Sequence, residues 1–156
     1  MLGPGPNLAL LLLGSYRKLL DAAVTELAAR GYDDVRPSHD FAMRAIDSGA
    51  DTASALARAL SVSKQAAAKT IFALLERGYV VVEGDPADGR RKRIHVTPYG
   101  YEVMRTGEHI FDELRNAWAE QLGHRQLAQL EKHLAAFVGD SPIRLDAPGW
   151  VARYPE

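Results

Sequence analysis

A mainly α-helical fold with one small β-hairpin follows from three features of the sequence. Near the N-terminus, Leu12, Tyr16, Leu19, Leu20, Ala23 and Leu27 recur at helical spacing. Towards the C-terminus, Val103, Met104, Ile110, Phe111, Leu114 and Trp118 do the same. Between them, Thr52 to Thr97 reads as helix, tight turn, helix, then two strands around a basic loop. That order is a helix-turn-helix with a β-hairpin wing, flanked by long terminal helices, an arrangement that presents one helix to a DNA groove.

Each element has its own signals. Asn7 can cap a first helix from Leu8 to about Arg30, with Gly31 ending it and Gly3 to Pro6 as a loose lead-in. The run Leu8 to Leu13 is too short to span a membrane and lacks the flanks of a signal peptide, so it reads as buried helix. Ser38 is a cap for a helix over His39 to Asp47, and Ser48 to Asp51 break it. Thr52 caps the next helix, whose Ala53, Leu56, Ala57 and Leu60 share a face. Ser61, Val62 and Ser63 leave room only for a turn. Ser63 then caps a helix from Lys64 to about Arg77. Its Ala67, Ile71, Leu74 and Leu75 face inward, which leaves Lys64, Gln65, Ala68, Lys69 and Phe72 outside. Gly78 suits a left-handed residue after the last turn. Tyr79 to Glu83 and Arg93 to Thr97 favour strand, and Gly84 to Gly89 are dense in turn formers. Thr97-Pro98 opens a helix to about Gln121, and after Gly123 a last helix covers His124 to Val138. Gly139 to Glu156 form an irregular tail.

Composition narrows the class. A chain of 156 residues is long enough for one well-buried domain. Its 47% apolar and 25% charged residues exclude general disorder. The absence of cysteine excludes disulfides and thiol redox chemistry and fits a reducing cytoplasm. The net charge of −1 hides an uneven distribution: Ala50 to Thr97 hold eight basic and five acidic residues, so the positive charge gathers on the reading unit. A local basic patch suffices to displace counterions from a duplex. No nucleophile elbow, phosphate loop or metal triad is present in the sequence, so an enzyme is not expected.

The stretch SVSKQAAAKTIFALLERGYVVVEGDPADGRRKRIHVTPYG resembles the core of the MarR family of transcriptional regulators. Leu75-Glu76-Arg77-Gly78-Tyr79-Val80 matches the end of that family's recognition helix, Asp85 to Arg90 its wing, and Thr97-Pro98-Tyr99-Gly100 the helix start that follows. Several motifs in register over about 45 residues are specific where one tripeptide would not be. The resemblance implies a homodimer whose end helices interlock, binding a double-stranded, pseudo-palindromic DNA operator. It also implies a repressor relieved by a small aromatic or lipophilic ligand. The expected divisions are residues 1–36 for the N-terminal dimerisation helix, 37–97 for the DNA-binding domain, 98–138 for the C-terminal dimerisation helices, and 139–156 for the tail.

The candidate contacts follow from the chemistry of bases and phosphates. Gln65 can pair with both edge groups of an adenine, Lys64 and Lys69 can reach guanine acceptors or phosphates, and Ala68 can touch a thymine methyl. Ser61 and Ser63 are phosphate candidates through hydroxyl groups and helix-end amides. The resemblance adds Asp88 as a brace for the wing and Arg90 as its minor-groove residue, with Arg91, Lys92 and Arg93 beside them for phosphates, the alternative for Arg93 being a side chain that points back along its strand. Related proteins often carry a hydroxyl residue at Ala68 and an arginine at Lys69, so this chain has fewer side-chain donors. The resemblance implies a ligand crevice that Tyr16, Arg17, His39, Phe41 and Arg44 would line, and ordinary packing explains these residues equally well. His39 with His109 and Asp112 or Glu113 could imitate the metal sites of a minority of relatives, but the histidine spacing is not that of ligands. No metal and no cofactor is expected. Two rivals stay open: a winged-helix module that docks an acidic protein, and a ligand-binding protein without an operator. Selective, salt-dependent DNA binding would separate the regulator from both.

Overall fold

The computed structural model describes residues 3–139. Its elements run α1 (Pro4–Ala29), α2 (Pro37–Asp47), α3 (Ala53–Leu60), α4 (Lys64–Glu76), β1 (Val80–Gly84), β2 (Lys92–Val96), α5 (Pro98–Leu122) and α6 (His124–Val138). The mainly α fold with a hairpin wing is therefore present, in the expected order. The expected tail from 140 onward lies outside the described residues. Among those described, no helix is long and apolar enough to cross a membrane.

Met43, Leu56, Leu74, Val103 and Ile110 are the largest fully buried side chains, drawn from α2, α3, α4 and α5. The core thus sits where the helix-turn-helix meets the start of α5. Three boundaries differ from the sequence reading. Helix α1 begins at Pro4, because the first turn of a helix needs no amide donors and so accepts both Pro4 and Pro6. Helix α2 begins at Pro37 for the same reason, and the Arg36 amide donates to Nδ1 of His39 at 3.2 Å in place of a serine cap. Both strands lie one residue from expectation, since the Tyr79 amide still bonds Leu74 of the helix end and Thr97 is occupied as a cap.

The expected burial of Leu8 to Leu13 is overturned in the single chain. Leu8 and Leu11 are both 59% exposed, and only Ala23 and Leu27 of α1 are buried. The C-terminal half of α1 rests on α5, while the N-terminal half has no such cover. At the other end, Leu130 and Phe137 of α6 are exposed and only Leu127 is buried.

The Thr97-Pro98-Tyr99-Gly100 motif has a concrete task. The Thr97 hydroxyl accepts from the Gly100 amide at 3.0 Å and donates to the Gly78 carbonyl at 2.6 Å, joining the start of α5 to the end of α4. A Cβ on Gly100 would stand 2.2 Å from the Tyr79 carbonyl oxygen and 2.8 Å from Cγ1 of Val96. Gly100→Ala is therefore expected to destabilise the fold by roughly 1–3 kcal/mol, as overpacking against rigid backbone does. An unchanged midpoint in urea denaturation would contradict this close approach.

Candidate nucleic-acid interface

Helix α4 owes its placement to both of its ends. Ser61 takes a left-handed conformation (φ 53°) that reverses the chain after α3, and the Ser63 hydroxyl accepts from the Ala66 amide at 3.0 Å. Ala67, Ile71 and Leu74 are buried, which fixes the rotation of the helix. Lys64, Gln65, Ala68, Lys69 and Phe72 consequently face outward, and Ser61 and Ser63 are exposed beside them. Among the described residues, Lys64 and Lys69 enter no ion pair.

The wing stands against the outer side of α4. Its strands pair antiparallel, with Val82 opposite Ile94 and Gly84 opposite Lys92. Ala68 and Phe72 of α4 face Val82, Lys92 and Ile94 across one groove. At the tip, the Asp88 carboxylate accepts from the Arg90 amide at 3.1 Å and lies 3.9 Å from the Arg91 guanidinium. Arg90, Arg91 and Lys92 are exposed.

Arg93 behaves differently. Its Nε donates to Asp85 at 2.9 Å, and its Nη1 donates to Asp51 at 2.6 Å. The guanidinium is thereby turned back along the strand and bridges the wing to the residue just before α3. Asp85, only 9% exposed, also accepts from the Ala87 amide at 2.9 Å. That amide and then Arg93 hold its carboxyl below the ordinary value of 3.8, while Asp51 and then Asp85 raise the Arg93 guanidinium. The Ile94 amide donates to the Asp51 carbonyl at 2.8 Å, a second tie at the same place. Asp51 and Asp85 were not singled out by residue chemistry in the sequence. The Asp85-Pro86 turn was visible, but its acceptor role needs Arg93 across the hairpin.

The five candidate ligand residues do not converge. A narrow apolar crevice lies between α1, α2 and α5, with Ala23, Val24, Phe41, Val103 and Phe111 among its walls, and Phe41 is the one candidate lining it. It offers ≈ 20 Å³, far less than a small organic ligand needs. Arg44 pairs with Asp40 at 2.7 Å, and Tyr16 and Arg17 stand exposed on α1. His109 pairs with Glu113 at 3.1 Å, and Glu113 also meets Arg30 at 2.5 Å. Among the described residues no three acidic or imidazole groups gather as a metal ion would require.

His39 is 8% exposed, and burial, reinforced by Arg77, holds its imidazole below the ordinary value of 6.5, with Asp34 opposing. The neutral ring is the form that accepts from Arg36. The unfolded chain takes up this proton first, so stability is expected to fall as pH drops below 6.5. Thermal midpoints between about pH 8 and pH 5 should decline more steeply for the native chain than for His39→Gln. Equal slopes would remove His39 from that role.

The comparisons agree with this geometry. The model of the MarR family matches residues 41–91, which span α2 to the wing tip. The reduced form of MarR from E. coli superposes with a TM-score of 0.71 at 20% identity, covering 89% of this chain and 98% of that one. A cysteine-to-serine mutant of E. coli MarR complexed with operator DNA gives 0.66 at 19% identity, covering 85% and 94%. CouR from Rhodococcus jostii RHA1, bound to p-coumaroyl-CoA, gives 0.64 at 19% identity, covering 90% and 98%. A comparison with curated protein sequences finds no match. The MarR family model thus falls on the stretch from α2 to the wing tip, and the fold of this chain is that of the MarR structures over 89% of its length.

Proposed function

We propose that the chain acts as a homodimer that occupies a pseudo-palindromic operator and represses until a small apolar ligand releases it. The observation that carries this reading is the shared surface of α4 and the wing. Lys64, Gln65 and Lys69 face out from the helix, and Arg90, Arg91 and Lys92 face out from the hairpin beside it. An inserted α4 would read base edges in the major groove, where all four pairs differ. The wing arginines would follow the backbone into the adjoining minor groove, and the hydroxyls of Ser61 and Ser63 would meet phosphates. Arg93 serves as a positioning residue, and Asp88 braces the tip backbone at Arg90.

The second subunit answers the uncovered apolar ends. Leu8, Leu10, Leu11 and Leu12 of α1 and Leu122, Phe137 and Val138 of α5 and α6 are exposed in one copy. Large apolar side chains left exposed at helix ends in this way are what a partner covers. Two copies would set their α4 helices about 34 Å apart, one turn of the duplex.

Release by ligand has a physical route. The crevice is too narrow as it stands, so an occupant must part α2 from α1 and α5. The C-terminal end of α2 leads to Asp51, and Asp51 holds Arg93 of the wing. A ligand that binds the parted form better would thereby move the wing as well. A MarR mutant complexed with operator DNA and CouR bound to p-coumaroyl-CoA give precedent for DNA and for an organic ligand in proteins of the same fold.

The test is a fluorescence titration of the protein against its own upstream DNA and a scrambled duplex at two salt concentrations. Selective binding of two subunits per site, weakened by salt, is the expected result. Equal weak binding to both duplexes would overturn the operator and favour a protein partner for the basic wing.

A further inference from the structure

Phe72 is the large side chain that the proposed contacts leave without a task. It is 62% exposed although it lies in the middle of α4. Single exposed apolar residues are common on proteins and need no explanation by themselves. This one has an unusual setting. Gln65, Lys69 and Phe72 follow one another at spacings of four and three, so they form a single stripe opposite the buried Ala67, Ile71 and Leu74. Phe72 therefore stands in line with the base-reading candidates, about 10 Å along the axis from Gln65. The next member of the stripe is Glu76, whose carboxylate would repel phosphates, so the face suited to DNA ends at Phe72.

The surroundings favour one occupant. Beside Phe72, Ala68 and Val82 line an apolar groove of ≈ 300 Å³ that has Lys92 at its edge and Lys69 nearby on the helix. An apolar floor between cations suits a partner that is polyanionic outside and offers small apolar groups within. In the major groove the thymine C5-methyl is that group, and phenylalanine and alanine are side chains that contact it. We propose that Phe72, with Ala68 beside it, receives thymine methyl groups and so sets a requirement for A·T pairs within each half-site. The inference rests on the reading of α4 as a groove-inserted helix and deepens it, because it assigns the base class read by this face.

The experiment uses the full-length protein and the duplex selected in the titration above. Each thymine is replaced singly by deoxyuridine, which removes the methyl group and keeps the base pair. Affinities are measured by anisotropy for the native chain, Phe72→Ala and Phe72→Leu. One or two positions per half-site should weaken the native protein about fourfold each, the scale of one buried methyl group. The same replacements should make little difference to Phe72→Ala, while Phe72→Leu should keep most of the discrimination. Circular dichroism should be unaltered, since the side chain is exposed. If the native chain binds its duplex selectively but no deoxyuridine matters, the proposal alone is overturned. A penalty that persists undiminished in Phe72→Ala overturns it too. If no duplex is bound selectively, the placement of α4 fails and the thymine reading falls with it.

Discussion

Replacing Arg93 by alanine is expected to weaken binding to the proposed operator on the order of thirtyfold while the helices remain folded. The reasoning starts from the weakness of a two-stranded hairpin, which is marginal unless something holds it. Here the holding falls to the base of the wing, where one guanidinium joins Asp85 of the hairpin to Asp51 before α3. Alanine would leave two carboxylates facing each other without a cation, and the Ile94 amide on Asp51 would be the main remaining tie at that point. A loosened wing would have to be ordered at the moment of binding, together with its three tip cations. Because the Arg93 side chain is 42% exposed, solvent screens the ion pairs, and the larger effect belongs to DNA affinity and not to the melting temperature. Arg93→Lys should fall between, since an ammonium cannot bridge both carboxylates in the same fork. The Asp85 carboxyl provides a second readout. Its contribution to stability is present above its ordinary value of 3.8 and is lost as pH falls through its lower folded value. In Arg93→Ala the Ala87 amide still lowers it, so an NMR titration should place it between the native position and the ordinary one. Unchanged operator affinity in Arg93→Ala would mean that the wing is placed by other contacts.

The sequence was most legible where local chemistry decides the outcome. Thr52 and Ser63 were readable as caps because each hydroxyl has a free helix-end amide three residues on, and both accept from it, whereas Asn7 and Ser38 offered the same signal and lie inside α1 and α2. Gly78 was readable because it follows a helix end, and its φ is +70°. The outward stripe of α4 was readable from the inward one. What the residues did not disclose depends on groups far apart in the chain. The Asp51–Arg93 bridge spans 42 positions: a side chain at Arg93 turned back along its strand was foreseeable, but its distant acceptor was not. The first leucines stand exposed in the single chain for a related reason: an apolar run states that cover is needed, not which molecule supplies it. The candidate ligand residues failed to gather because His39 is used in the start of α2 and Arg44 is used by Asp40. Sequence proximity to a crevice carries no information about such prior commitments.

Arg90→Ala isolates the wing tip from the wing base. The tip backbone is held by the Asp88 carboxylate accepting from the Arg90 amide, and that bond survives when the side chain is cut back to a methyl group. The Arg90 guanidinium itself enters no ion pair among the described residues, so its removal orphans no buried charge. The hairpin should keep its shape and the protein its melting temperature. If the guanidinium enters a narrow minor groove, affinity should drop by about tenfold or more, and the slope of log affinity against log salt should become shallower by about one. The loss should be greatest on duplexes whose flanks are A-tracts, where the groove is narrow and its potential most negative. Arg91→Ala should cost less, because Arg91 already leans towards Asp88 at 3.9 Å and has less charge to give. A drop of equal size for both arginines, with no dependence on the flanking sequence, would mark Arg90 as one phosphate contact among several. In that case the tip would lie along the backbone, and selectivity would have to come from α4 alone.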